Sequence, residues 1–406
     1  MGWLPRFLRS SPPVEERAVT VGPANLQLTL PYSGERVTPA TADTNTAVGR
    51  AVQLISNDLA KVPLKLMRRT ATGSEEDTSS ALWRLFDTSP NVEQSGFEWR
   101  RYMTSLYCLY GNSYCLIQRN GRGDVLQLLP LDPNSISVVI DDSTGTYHYD
   151  HATLGVLEPE EILHLRFGLV DESGVIAYSP ITRARESLGL AKAQEIAGAS
   201  VYRNSANPRM CLKHPGTLSD QAAARLAEQF TRAHAGPDSA GKAILLEEGM
   251  DADVLQPLQL ETAQWLDARG FSIDEVSRIY GIPTPYLSEH SNSTYNNVSS
   301  LVKIYIDTCL SHHAAIWSAE VQLKLLSPDQ FLEFDLSYVQ RGTFTEEILS
   351  LHTAVTSGIM TPNECRKRLG LNPLDGLDRP LMMPGATTLQ GRPSNGRDPR
   401  DTDPDS

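Results

Sequence analysis

Between Gly281 and Leu301 the chain reads GIPTPYLSEHSNSTYNNVSSL. From Ser288 to Ser300 there is no Lys or Arg, Glu289 is the only carboxylate, and Tyr295 and Val298 are the only large apolar side chains. An amphipathic period of helical spacing runs up to this stretch over 262–280, and another leaves it over 298–326. Any fold for this chain must therefore set a small, polar, nearly uncharged loop between two long helices.

The 406 residues exceed what one hydrophobic core organises, so about two to four subdomains are expected. With 40% hydrophobic and 21% charged residues the chain reads as soluble and globular. The N-terminal MGWLPRFLRSS lacks the apolar core of a signal peptide, and Arg6 stands where myristoylation wants Ser or Thr. No apolar run is long enough to span a bilayer, so no membrane partner and a cytoplasmic location are expected. Five cysteines, Cys108, Cys115, Cys211, Cys309 and Cys365, form no CxxC pair and read as reduced, buried thiols. A net charge of −13 argues against nucleic-acid binding through a basic patch.

Residues 1–44, rich in Pro, Thr and Gly, read as a flexible segment. Val48, Val52, Ile55 and Leu59 recur at helical steps up to Pro63, and PLKLMRR follows as a strand. ATGSEEDTSS reads as a polar loop and 81–87 as a short helix. A second helix runs from Ser95 to Tyr110 with Gly111 as a left-handed cap. NSYCLIQR, the turn NGRGD and VLQLLPLD make a hairpin, and SISVVID, GTYHYD and EILHLRF are further short strands. Ser179-Pro180 opens a long, alanine-rich helix over 180–204, whose small side chains allow close helix approach. NPRMCLKHPG reads as a strand, 219–234 as a helix and KAILLEEGMDADVLQP as a strand pair. FLEFDLS is a strand, 344–357 a helix ended by Gly358, and TPNECRKRLG a short helix with Thr361 at the N-cap and Gly370 as its stop. The composition of GATTLQGRPSNGRDPRDTDPDS, from about 385 on, is that of a disordered tail.

Chemistry is sparse. Neither GxxxxGK[ST] nor GxGxxG is present, so no phosphate cradle is expected; GxSxG and HExxH are also missing. His312 and His313 are adjacent and point to different helix faces, which reads as two polar surface histidines rather than a metal pair. The acidic pairs Asp141-Asp142, Glu160-Glu161 and Glu247-Glu248 sit beside turn signals and read as solvated loop charge. Two other classes stay open: a metal-dependent hydrolase built on those pairs, and a DNA-binding regulator using the C-terminal helices with Arg366, Lys367 and Arg368 on phosphate. No catalytic residue, cofactor or metal ligand is expected.

Segment order carries a resemblance. AVGRAVQLISNDLAKVPLKLMRR, FEWRRYMTSLYCLYGNSYCLIQRNGRGDVLQLLPLDPNSISV, IAYSPITRARESLGLAKAQEIAGASVYRNSANPRMCLKHPG and VSRIYGIPTPYLSEHSNSTYNNVSSLVKIYIDTCLSHHAAIWSAEVQLKLL follow one another as in tailed-bacteriophage portal proteins, the compact branch also found in gene transfer agents. GIMTPNECRKRLGLNPLDGLDRPLMMPG fits the family's C-terminal region.

The resemblance implies an α+β portal fold assembled as a cyclic ring, usually of twelve copies, at one capsid vertex. It assigns 45–179 to an α/β wing, 180–204 to a first stem helix and 205–257 to a small α/β clip. It makes 258–287 a second stem helix, 288–297 a tunnel loop, 298–342 a long helix with a wing return strand, and 343–384 a helical crown. The implied partners are further copies of the chain, double-stranded DNA passing through the channel, the terminase large subunit, a head-tail adaptor and the major capsid protein. The implied location is the virion's portal vertex, and the host cytoplasm during assembly. Ser291, Asn292, Ser293, Thr294, Tyr295, Asn296 and Asn297 would then line the channel, and Ala191 and Ala197 would pack between subunits. A conduit needs side chains that exchange hydrogen bonds between phosphate and water at near-equal free energy, and small hydroxyls and amides do this. Basic side chains in the same place would hold the duplex.

Overall fold

The computed structural model describes residues 18–21, 31–141, 144–204, 210–213, 216–217, 219–225, 228, 251–254, 262–287, 295–339 and 344–380. The chain divides into two units, 1–339 and 340–406. The elements of the first are β1 (Ala18–Val21), α1 (Pro39–Ala42), α2 (Thr46–Lys61), β2 (Leu64–Thr70), β3 (Gly73–Glu76), α3 (Ala81–Asp87), α4 (Gly96–Tyr110), β4 (Asn112–Arg119) and β5 (Val125–Leu131). They continue with β6 (Ile136–Asp141), β7 (Tyr147–His151), β8 (Gly155–Leu157), β9 (Ile162–Arg166), α5 (Pro180–Arg183), α6 (Arg185–Asn204), β10 (Met210–Lys213), β11 (Asp251–Val254) and α7 (Thr262–Tyr280). A long helix follows in three parts: α8 (Tyr295–Tyr305), a π turn at Ile306–Leu310, and α9 (Ser311–Lys324), before β12 (Gln330–Phe334). The second unit holds α10 (Phe344–Thr356) and α11 (Pro362–Arg368).

Local chemistry accounts for most helix ends. Asn45 caps α2, its Oδ1 accepting from the amides of Ala47 and Val48 at 3.0 and 3.3 Å. Ser95 and Glu98 close a capping box on α4, and Thr361 and Glu364 close another on α11. α4 ends on Gly111 at φ 82, as its position in the sequence requires. The expected apolar stripe of α2 is the buried one: Val48, Val52, Ile55 and Leu59 are 0–4% exposed. Each such side chain contributes about 1.5–3 kcal/mol by leaving water.

Among the described residues all strand pairs are antiparallel. The sheets run β12-β2-β3, β5-β4-β9, β1-β6-β7-β8 and β10-β11. The main core gathers α2, α4 and α9. Trp99 of α4 meets Trp317 of α9 edge-on at 5.0 Å, and the Trp317 indole N–H donates to Thr104 Oγ1 at 3.3 Å. A smaller core, with Tyr114, Ile136, Val138, Tyr149 and Ile162, joins the β5-β4-β9 sheet to the four-stranded one.

Several expectations are corrected. The segment expected to be flexible, 1–44, contributes β1, paired with β6 (Ala18 opposite Asp141), and the capped turn α1. The polar loop after β2 contains β3, whose four residues are all exposed. Its pairing rests on backbone bonds to β2, which leave no hydrophobic period to read. The helix over 180–204 is interrupted at Ala184, whose φ −90 and ψ 10 separate α5 from α6. The long helix starts at Tyr295 rather than Val298. Amides in a helix's first turn lack intrahelical acceptors, so asparagines cost little there. The π turn was not foreseen. The helix expected over 219–234 is described only at 220–225 and 228, and the strand pair at 242–257 only at β11; the remainder, and the tail from 385, lie outside the described residues.

His313 is also corrected. It is 1% exposed, stacked on Phe167 at 4.8 Å, with Nδ1 3.0 Å from the Tyr107 hydroxyl; His312 is exposed. Adjacent helix residues point about 100° apart, so one of the pair faces inward with Leu310, Ala314 and Trp317. Burial depresses the His313 pKa to about 3 and holds His164 well below its ordinary value. The unfolded chain takes up these protons near pH 6.5, and the folded one only much lower. The neutral rings therefore contribute stability fully above about pH 6.5, and that contribution is lost as pH falls toward about 3. Thermal midpoints across this window are expected to fall less steeply for His313→Gln than for the parent chain. Parallel curves would show that His313 does not drive the acid loss.

Four described cysteines, Cys108, Cys115, Cys309 and Cys365, are free and buried. Desolvation pushes the thiols of Cys115 and Cys309 up to about 12, which makes them unreactive near neutral pH.

Candidate functional site

The polar stretch 288–294 lies in the connection from α7 to α8. Of the seven residues named for the channel, Ser291, Asn292, Ser293 and Thr294 lie outside the described residues. Tyr295, Asn296 and Asn297 form the first turn of α8, and their side chains are not described.

What the structure does define is how the stretch is rooted. α7 stops at Gly281, whose φ of 66 turns the chain. A Cβ there would lie 3.2 Å from the Thr308 carbonyl oxygen, so only glycine fits without a shift. The Thr308 hydroxyl, in the π turn, lies 3.0 Å from the Gly281 carbonyl oxygen and 2.8 Å from the Ile304 carbonyl oxygen, and its one proton is shared between these two acceptors. Ile282 is buried, and its carbonyl accepts from Ser277 Oγ at 2.5 Å. The Tyr280 hydroxyl donates to the Cys108 carbonyl of α4 at 3.0 Å, and its ring lies parallel to Phe167 at 6.2 Å. After Pro283 and a single 3-10 turn (Thr284–Tyr286), the Tyr286 ring packs on Tyr305 at 4.9 Å. The Tyr305 hydroxyl donates to Asp58 Oδ2 of α2 at 3.2 Å. Burial raises the Asp58 pKa, with Lys61 as the largest opposing influence. Both Gly281 and Tyr286 are thus tied to the main core within a few residues of the polar stretch.

The π turn is part of this arrangement. It adds one residue to a helical turn, which rotates the following face by about 100°. Tyr305 is thereby buried on the same side as Leu310, His313, Trp317 and Val321.

Ala191 and Ala197 both lie on α6. Ala191 is half-buried and lines an open groove of about 610 Å³ with Tyr32, Glu186, Leu190, Gln194 and Glu275. Ala197 is exposed, next to Ile196 and about two helical turns beyond Leu190, which are 46% and 51% exposed. α6 is tied to α7 by the Ser187 hydroxyl, which donates to Glu275 Oε2 at 3.1 Å, and to the 31–36 segment by Lys192 and Glu35 at 3.1 Å.

The described residues among those weighed for chemistry form no metal-binding group: no three His, Cys, Asp or Glu of the described residues could hold a metal ion. Glu160 and Glu161 are exposed, and Glu161 caps the 3-10 turn it ends by accepting from the Glu158 amide at 2.9 Å. Asp142, Glu247 and Glu248 lie outside the described residues. α11 has seven residues, and the Arg366 Nε donates to the Asn372 carbonyl at 2.8 Å, back onto its own unit. Sequence reasoning missed Asp58, Tyr286, Tyr305 and Thr308. The two aromatics after Pro283 and in the helix following the polar stretch were the only available signal.

Comparison with known proteins agrees across this architecture. The profile of the family described as phage portal protein matches residues 46–370. The probable portal protein of Streptomyces phage phiC31 is 28% identical over 373 residues, covering 87% of this chain and 80% of the relative. The portal protein of Enterobacteria phage HK97 is 28% identical over 345 residues, covering 82% and 80%. Among solved structures, an HK97-family phage portal protein from Corynebacterium diphtheriae has a TM-score of 0.57 at 16% identity, covering 75% of this chain and 97% of that one. A chain from the virion of a native gene transfer agent particle has a TM-score of 0.55 at 21% identity, covering 83% and 94%. The two solved chains share the fold.

Proposed function

Because this chain belongs to the phage portal protein family, we propose that its copies close into a ring, usually of twelve, that forms a DNA channel at one vertex of a capsid. The chain is a portal protein; the ring's composition, the path of DNA and the docking partners are our reading. The observation that carries it is the family match over 46–370, which spans the elements from α2 to α11. Neither a metal-dependent hydrolase nor a DNA-binding regulator gains support from that match.

In this reading 45–179 is the wing, 180–204 and 258–287 are the stem helices, and 205–257 is the clip. The tunnel loop is 288–297, 298–342 returns to the wing and 343–384 is the crown. The described base at Gly281–Leu287 supports a loop held at a fixed place, and Ser291 to Asn297 face passing duplex with hydroxyls and amides. The terminase large subunit, which supplies the ATPase, docks first; a head-tail adaptor replaces it, and the major capsid protein surrounds the ring. Assembly takes place in the host cytoplasm and the finished ring belongs to the virion.

A ring needs head-to-tail contacts that close, in which two different faces of one subunit meet. The exposed apolar side chains of α6 around Ala197 support its place in that contact. Native mass spectrometry and negative-stain images of the purified chain are expected to give one closed ring, many times heavier than the 44.7 kDa subunit. Only 44.7 kDa species, both free and in assembled particles, would overturn the reading. Ala197→Trp, and Ala191→Trp in the groove beside it, are expected to abolish rings. Overpacking costs about 1–3 kcal/mol at each contact, and the cost repeats around the ring. Normal rings from both variants would remove α6 from the interface.

A further inference from the structure

We infer that Asp58, Tyr305 and Tyr286 are positioning residues that set where and in which direction the chain leaves toward 288–294. The inference rests on the channel reading above, and the structural part of its test does not.

Three observations converge on these side chains. Asp58 projects from α2, a helix of the main core. Its Oδ2 accepts from the Tyr305 hydroxyl across 247 positions of sequence. Tyr305 is 1% exposed yet lies on the last turn of α8, between the polar stretch and the π turn. Its ring packs against Tyr286, two residues before Ser288. Tyr305 therefore touches the incoming arm through Tyr286 and belongs itself to the outgoing arm. The carboxylate fixes the position of that shared contact relative to the core.

A second tie joins the same base where Thr308 meets Gly281. With one tie alone, the arms could still swing about it. Two ties, one before and one after Pro283, hold both the height and the heading of the exit. The π turn makes the pair available, since it lets Tyr305 and Thr308 serve the loop base while the face beyond it stays in register with Trp317. A polar bond to a half-buried carboxylate costs some desolvation that an aliphatic pair would avoid. What it adds is direction, because an O–H bond to carboxylate has a preferred geometry.

Hydrogen exchange on the assembled ring tests this. Ile282, Tyr286 and Leu287 donate their amides to Ser277, Pro283 and Thr284, so their exchange reports opening of the base. Tyr305→Phe removes only the hydroxyl. It is expected to accelerate these three amides by about 5–10-fold, the factor for one such hydrogen bond, while β4 and β9 amides keep their rates. Asp58→Asn retains an acceptor and is expected to stay within about twofold of the parent; Asp58→Ala is expected to match Tyr305→Phe. The Tyr305→Phe and Asp58→Ala rings are further expected to package DNA more slowly at unchanged ring mass. Unchanged exchange at 282–287 would overturn the inference. So would acceleration spread evenly over the chain, which would make the contact ordinary core. Changed exchange with unchanged packaging would keep the anchor but remove its role in the channel. Absence of rings from the parent chain is the separate result that overturns the portal reading.

Discussion

Replacing Gly111 with alanine is expected to lower the unfolding free energy by about 3 kcal/mol or more, whereas Gly123→Ala is expected to cost only about 1–2 kcal/mol. Both glycines have positive φ, 82 and 90, so both variants carry the left-handed penalty. They differ in what the new methyl meets. Around Gly123 nothing lies within 4 Å. At Gly111 the methyl would stand 2.6 Å from the Tyr178 carbonyl oxygen and 2.9 Å from the Ser179 nitrogen. Those are backbone atoms and cannot rotate aside. Ser179 caps α5 while its hydroxyl donates to the Leu109 carbonyl at 2.7 Å, and the Phe167 amide donates to the Gly111 carbonyl at 2.8 Å. A shift at Gly111 therefore loosens the end of α4, the start of β4 and the start of α5 together. A domain stable by about 5–15 kcal/mol tolerates one such loss poorly. Paired urea titrations of the two variants measure the difference. Equal costs would show that the Tyr178 backbone moves away at little expense.

The second large effect concerns DNA. In the channel reading, Asn292→Lys with Asn296→Lys places two cations per subunit where hydroxyls and amides stand. Each phosphate neutralised adds about 0.9 to the slope of log affinity against log salt. Two phosphates per subunit strengthen binding about tenfold at 50 mM salt relative to 200 mM. Tight holding opposes movement, so packaging by the double variant is expected to be at least about tenfold slower at 50 mM salt, recovering toward the parent rate at 200 mM. Asn292→Gln with Asn296→Gln adds length without charge and is expected to package at the parent rate. A double-lysine variant that packages normally at both salts would show that these residues do not face the duplex.

The candidate site was legible in the sequence as a place but not as a mechanism. Proline, glycine and a run of small polar residues mark where helices stop, because each acts within a few residues of itself. The anchoring of that place was not legible. Asp58 sits in the last turn of α2 near Lys61 and reads as a surface i,i+3 pair, and Tyr305 reads as one aromatic among several. His313 shows the same limit. Its helix was legible, but which of two adjacent histidines faces inward depends on the packing partner, here Phe167 and Tyr107.

The sequence alone determined what depends on short range: the capping boxes at Ser95 and Thr361, the Asn120-Gly121 hairpin, the buried stripe of α2 and the order of elements. Tertiary structure alone decided the pairing of β1 and of β3, the π turn between α8 and α9, and the meeting of Tyr305 with Asp58. The physical reason is range. A cap or a turn is stabilised by groups within one or two turns of chain, so its signature is written there. A strand held only by backbone bonds, or a half-buried polar contact between distant helices, draws its stability from groups that folding brings together, and its local sequence need carry no sign of it.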